Sequence, residues 1–116
     1  MKKYALISKE KVDVEKIFRD YFSKRHVPEK SIFIDHIDKN ECKVTIIIAE
    51  FYYFRINDNL STTIIVEENP SEMSIKVIAS GGGVDDDPLG SLGAERNAGK
   101  RIVKLLEENG FTLIKK

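Results

Sequence analysis

At 116 residues, with 41% hydrophobic and 33% charged side chains, the chain has the size and make-up of one globular domain; a domain of this length buries roughly 65% of its unfolded surface and needs no staples. Nineteen basic residues balance nineteen acidic ones, which removes the basic excess expected of a nucleic-acid or anionic-membrane binder. One cysteine, Cys42, excludes an internal disulfide and, beside only two histidines, argues against a structural zinc site.

The opening "MKKYALISKEKVD" lacks the long apolar core of a signal peptide, and no stretch approaches the ~20 apolar residues of a membrane span. The expectation is therefore a cytoplasmic protein that does not enter a membrane. Tyr4 to Ser8 reads as a first short strand. Val14, Ile17, Phe18, Tyr21 and Phe22 then fall on one helical face, with Asp13 placed to accept hydrogen bonds from the free N–H groups of the first turn. Pro28 must end this helix, so it is predicted over 13–25.

From residue 31 the apolar period changes to two. "SIFIDHI", "CKVTIIIAEFYYFRI", "STTIIVEE" and "EMSIKVIAS" read as strands, separated by turns at 38–41, 57–59 and 69–71. Such short turns predict antiparallel neighbours in a meander of four. In the second of these strands Val44, Ile46 and Ile48 share one face, while Ile47, Ala49, Phe51 and Tyr53 share the other. A strand apolar on both sides predicts at least partial cover on both. In the last, Met73, Ile75, Val77 and Ala79 point one way.

A second helix carries Ala98, Ile102, Leu105 and Leu106, extended back by Leu92 and Glu95 and ended by Gly110. "FTLIKK" is placed to add a last strand. The predicted fold is a two-layer α+β sandwich, an antiparallel β-meander with helices on one face, in the order β-α-β-β-β-β-α with an optional final β. Residues 1–116 form a single domain.

"SGGGVDDDPLGSLGAERNAGKR", Ser80 to Arg101, is the stretch richest in special residues. Its ending resembles a phosphate loop, but Gly93 and Gly99 enclose one residue too many. Arg101 also stands where a magnesium-binding hydroxyl is needed. Gly99 is better explained as a place where the helix lies close to its neighbour. Asp85, Asp86 and Asp87 offer oxygen ligands to a hard cation, yet the pattern is not that of an EF-hand, and adjacent carboxylates in extended chain diverge. "GSLG" has the spacing of a KH-domain loop without its basic flanks.

His26 falls at the end of the first helix and reads as a cap or surface residue. His36 lies beside Asp35, and Cys42 is the one thiol that a turn at 38–41 would bring towards it. The run Phe51 to Arg55 lacks the glycines of a ribonucleoprotein signature, so nucleic acid is not expected as a partner. Arg96, Lys100 and Lys104 make a basic stripe on the second helix.

The segment 73–108, with "IASGGG" followed by "GSLGAE" and an amphipathic helix, resembles small bacterial domain families of unknown function. More loosely, the element order is similar to helix-grip domains, in which a C-terminal helix closes a curved sheet over an apolar pocket. Both resemblances imply an α+β domain and neither transfers a functional residue.

Two readings follow. The leading one is a non-catalytic binding domain with no cofactor and no metal, whose partner is a second copy of the chain, another protein, or a small apolar ligand. Its rival is a small enzyme or sensor with its site in the loop at 80–93, where Gly81, Gly82, Gly83, Asp85, Asp86 and Asp87 meet Arg96 or Lys100.

Overall fold

A computed structural model of the chain describes the backbone of residues 2–53, 58–81 and 88–115. The side chains of residues 51–53, 58–60, 81, 88–97 and 115 lie outside that description. Six strands and two helices follow one another as β1 (Lys2–Ser8), α1 (Val14–Lys24), β2 (Ile32–Lys39), β3 (Cys42–Tyr53), β4 (Asp58–Glu68), β5 (Met73–Gly81), α2 (Pro88–Glu108) and β6 (Thr112–Lys115). A short 3-10 turn, Glu29–Ser31, precedes β2.

The strands form one antiparallel sheet in the order β2-β3-β4-β5-β1-β6. The meander expected from the short turns is present, and β1 and β6 extend it beyond β5. This is the expected α+β architecture.

Register decides which side chains are covered. Ile34, Ile47, Ile64, Val77 and Tyr4 lie in one cross-strand row, and His36, Thr45, Val66, Ile75 and Leu6 lie in the next row on the same side. Ile47, Ile64, Ile75, Val77 and Leu6 are completely or almost completely buried in this layer, and Met73 and Ala79 continue it. Each such aliphatic side chain contributes about 1.5–3 kcal/mol when fully buried.

Both helices lie on this side. Val14, Phe18 and Phe22 of α1, spaced by four, share one core with the strands and with Ile102, Val103 and Leu106 of α2. Val103 was not in the stripe read from the sequence; it packs because that stripe is wide enough to take a neighbour of Ile102.

The ends of α1 are built from local chemistry. The Asp13 carboxylate accepts from the Lys16 N–H at 3.2 Å, as its position at the head of the apolar stripe predicts. At the other end the Val27 N–H donates to the Phe22 carbonyl, and the His26 N–H donates to the Ser23 carbonyl. This paired termination requires a left-handed residue, and His26 takes it with φ 61°. His26 therefore caps the helix through its backbone.

α2 ends in the same way. Gly110 has φ 96°, Gly110 N–H donates to Glu107, and Phe111 N–H donates to Leu106. Phe111 is buried behind the turn, and the chain leads directly into β6.

Three boundaries differ from those read in the sequence. Asp38 and Lys39 belong to β2, paired with Lys43 and Cys42, so the hairpin turns on Asn40 and Glu41; Asn40 adopts φ 54°. Asp58 and Asn59 pair with Tyr53 and Tyr52 and belong to β4, because backbone pairing persists beyond the polar residues that mark a turn. Residues 54–56, expected in β3, lie outside the described residues. Finally, α2 starts at Pro88, earlier than its apolar stripe suggested, since proline's fixed φ and missing N–H suit the first helical position.

The β4–β5 turn matches expectation. Asn69 Oδ1 accepts from the N–H groups of Ser71 and Glu72 at 3.0 and 2.9 Å. Lys11 crosses from the β1–α1 connection to the carbonyl oxygens of Asn69 and Glu72.

Gly99 is buried on α2 against β1. A Cβ at this position would overlap the Tyr4 ring, itself part of the core. Gly99→Ala should therefore lose about 1–2 kcal/mol in denaturant unfolding, since overpacking exceeds the ~1 kcal/mol gained in helix propensity. In a Tyr4→Leu background the same change should become neutral or stabilising, a double-mutant cycle that isolates the contact.

Candidate functional site

Most of the residues expected to form a site around the Gly/Asp stretch fall outside the described residues or have side chains that do. Gly81 is the last residue of β5, with its backbone opposite Leu60. Gly82, Gly83, Asp85, Asp86 and Asp87 lie outside the described residues. Arg96 falls on α2 with its side chain outside the description, and Lys100 is exposed on the same helix. The segment between strand and helix is thus shorter than the expected 80–93. Ser80 and Gly81 are strand, and "GSLG" together with the phosphate-loop-like ending lies inside α2. A helical Lys100 removes the loop geometry on which phosphate cradling depends.

His36 and Cys42 are also kept apart. His36 pairs with Thr45 on the helix-bearing side of the sheet. Cys42 pairs with Lys39 and alternates to the opposite side, because successive strand residues point to opposite faces. The hairpin that brings the two close in sequence separates them across the sheet.

His36 instead meets α1. Its Nε2 donates to Glu15 Oε1 at 2.6 Å, Glu15 Oε2 accepts from Arg19 Nε at 3.2 Å, and Arg19 reaches Glu29 at 3.7 Å. The chain of contacts ties α1 to edge strand β2. The His36 hydrogen bond holds the Glu15 carboxyl below the usual carboxylate range; slight burial opposes this, and Arg19 reinforces it. All these side chains are substantially open to water, so each pair contributes at most about 1 kcal/mol.

Beside this contact is a polar recess of about 260 Å³, lined by Asp13, Glu15, His36, Lys43, Thr45 and Glu68 among others. Among the described residues no group of three or more His, Cys, Asp or Glu is placed to hold a metal ion.

The opposite side of the sheet has a different character. No helix covers it among the described residues. Ile46 and Ile48 of β3, Ile65 of β4 and Ile78 of β5 are half-buried there, and Phe33 of the edge strand β2 is 55% exposed. Between β1, β5 and β4 this surface holds a groove of about 400 Å³ that opens to solvent, with Lys3, Ala5, Ile65, Lys76 and Ile78 along it.

Phe51 and Tyr53, part of the sequence argument for a two-sided apolar strand, have side chains outside the described residues. The alternation Val44, Ile46, Ile48 marks one apolar side of β3 in the sequence, where cover was expected on both sides; it does not say which side the helices leave open. The matching residues on β4 and β5 become visible only once register aligns them.

Among the described residues, one buried polar group in the covered layer has no partner. Thr62 is completely buried between Ala49 and Ala79 on the neighbouring strands, and its Oγ1 makes no hydrogen bond. Such burial costs about 1–3 kcal/mol.

No helix among the described residues is long and apolar enough to cross a membrane. No protein-family model, curated protein or solved structure matches the chain.

The Glu15 contact sets a pH dependence. A carboxyl held low in the folded state contributes stability above its unfolded pKa and loses it as pH falls through the folded pKa. Acid unfolding should therefore remove the Glu15–His36 contribution below about pH 4, the ordinary glutamate region. Replacing His36 by Phe should move the Glu15 carboxyl titration upward, read from its carboxyl carbon signal in NMR.

Proposed function

We propose that this chain is a non-catalytic binding domain whose working surface is the uncovered face of its sheet. The observation that carries this reading is the row of half-buried isoleucines, Ile46, Ile48, Ile65 and Ile78, beside a groove that the helices do not reach. The two helices already seal the opposite face into a core, so these side chains are not needed to close the fold. A contiguous apolar surface of this kind on a small domain marks an interaction site.

The chemistry of the surface suits a broad partner. Its apolar residues lie along several strands, while Lys3 and Lys76 flank the groove and Glu50 and Glu67 are exposed towards the other half. An apolar centre with a charged rim is the usual anatomy of a protein–protein contact.

The paired substitution Ile46→Thr/Ile48→Thr tests the reading, because threonine keeps the β-branched shape that strands favour. The variant should retain cooperative unfolding and the native far-UV spectrum. Dilute protein should lose most of its binding of an apolar fluorescent dye, which reports exposed hydrophobic surface. Undiminished dye binding, or loss of cooperative unfolding, would show that these isoleucines do not form a binding surface.

A further inference from the structure

Resting on that reading of the uncovered face, we infer that its partner is a second copy of the same chain, packed sheet against sheet about a two-fold axis. A two-fold interface must be complementary to itself, each patch meeting its counterpart in the other copy. This face has that property in both shape and charge.

The charges divide across the sheet. On the uncovered side, Glu50 belongs to β3 and Glu67 to β4, whereas Lys76 belongs to β5 and Lys3 to β1. All four are exposed. An axis lying in the interface, parallel to the strands and between β4 and β5, lays β4 of one copy over β5 of the other. It also lays β3 over β1.

Glu67 of each copy then comes down beside Lys76 of the other. Glu67 lies opposite Ser74 in the intramolecular register, and Ser74 and Lys76 are neighbours on the same side of β5. Glu50 comes down beside Lys3 in the same way. In both pairs an acidic group meets a basic one, and the operation repeats each pair.

Shape follows the same axis. The groove above β1 has Ala5 at its small-residue position, with Lys3, Ile65, Lys76 and Ile78 around it. The axis carries Ile46 and Ile48 of the opposing β3 into this groove. Ile46 arrives over Ala5, so a bulky residue fills the place where β1 has a small one. Each copy offers both a ridge on β3 and a groove on β1.

The area suffices. Six strands at ~4.8 Å spacing and about seven residues at ~3.3 Å give a footprint of roughly 650 Å² per copy, or roughly 1,300 Å² in total. Stable interfaces begin at about 1,200 Å². Aligned sheets packing ~10 Å apart also bring the facing side chains into contact.

The test is sedimentation equilibrium over a range of concentrations on the full chain and two charge-reversed variants, Lys3→Glu/Lys76→Glu and Glu50→Lys/Glu67→Lys. The wild type should form a dimer. Each variant alone should dissociate about tenfold more readily or worse, since like charges then face each other across the axis. An equimolar mixture of the two should recover wild-type association, because opposite charges face again.

Circular dichroism of each dilute variant checks that its fold is intact, as expected for four exposed positions. A wild type that stays monomeric to ~1 mM, the range of very weak association, would overturn the inference, as would charge-reversed variants that dimerise like wild type or fail to recover on mixing. A monomeric wild type whose dye binding still depends on Ile46 and Ile48 would discard the second copy as partner and leave the binding face standing.

Discussion

The structure depends on the two-residue alternation of side chains across the four inner strands, combined with helices that cover only one side. In β3, β4, β5 and β1, every second residue enters the core beneath α1 and α2, and every other residue faces outward. A shift of one residue in any pairing would exchange Ile47 with Ile48, or Ile64 with Ile65. Register is strongly specified where one face is buried and the other is not. Both sets here are rich in isoleucine, so the helices and the tight Gly99–Tyr4 approach decide which set becomes core.

That asymmetry connects the fold to the proposed role. The covered side is filled by residues from both helices and from β3, β4, β5 and β1, and the sole unpartnered side-chain atom found buried among the described residues is the Thr62 hydroxyl. The outward side keeps aliphatic residues where a purely structural antiparallel sheet would carry mostly polar ones. The same residues that make the sheet strong by β-branched packing make its second face apolar. The charges around them, acidic over β3 and β4 and basic over β5 and β1, give the face a direction that a plain hydrophobic surface would lack.

Much of this architecture was legible in the sequence. The stripe Val14, Phe18, Phe22 and its Asp13 cap defined α1, and Met73, Ile75, Val77 and Ala79 identified the core side of β5. Gly99 and Gly110 were recognisable as a close approach and a left-handed helix end, because each position is difficult for a side chain. What the sequence concealed is non-local. His26 entered the left-handed region without being glycine, since the tertiary contact of Val27 held the turn. The His36–Glu15 contact joins residues brought together only when α1 folds over the edge of the sheet. The uncovered face required the register of several strands at once, which no local pattern of residues encodes.

Isoleucine methyl NMR at increasing protein concentration tests the central claim most directly, since neighbours in sequence belong to opposite faces. The account predicts that the methyl signals of Ile46, Ile48, Ile65 and Ile78 move as copies associate. Those of Ile47, Ile64, Ile75 and Ile102, sealed in the core, should stay in place. Signals that remain fixed on both faces from dilute to concentrated solution, or that move equally on both, would contradict it.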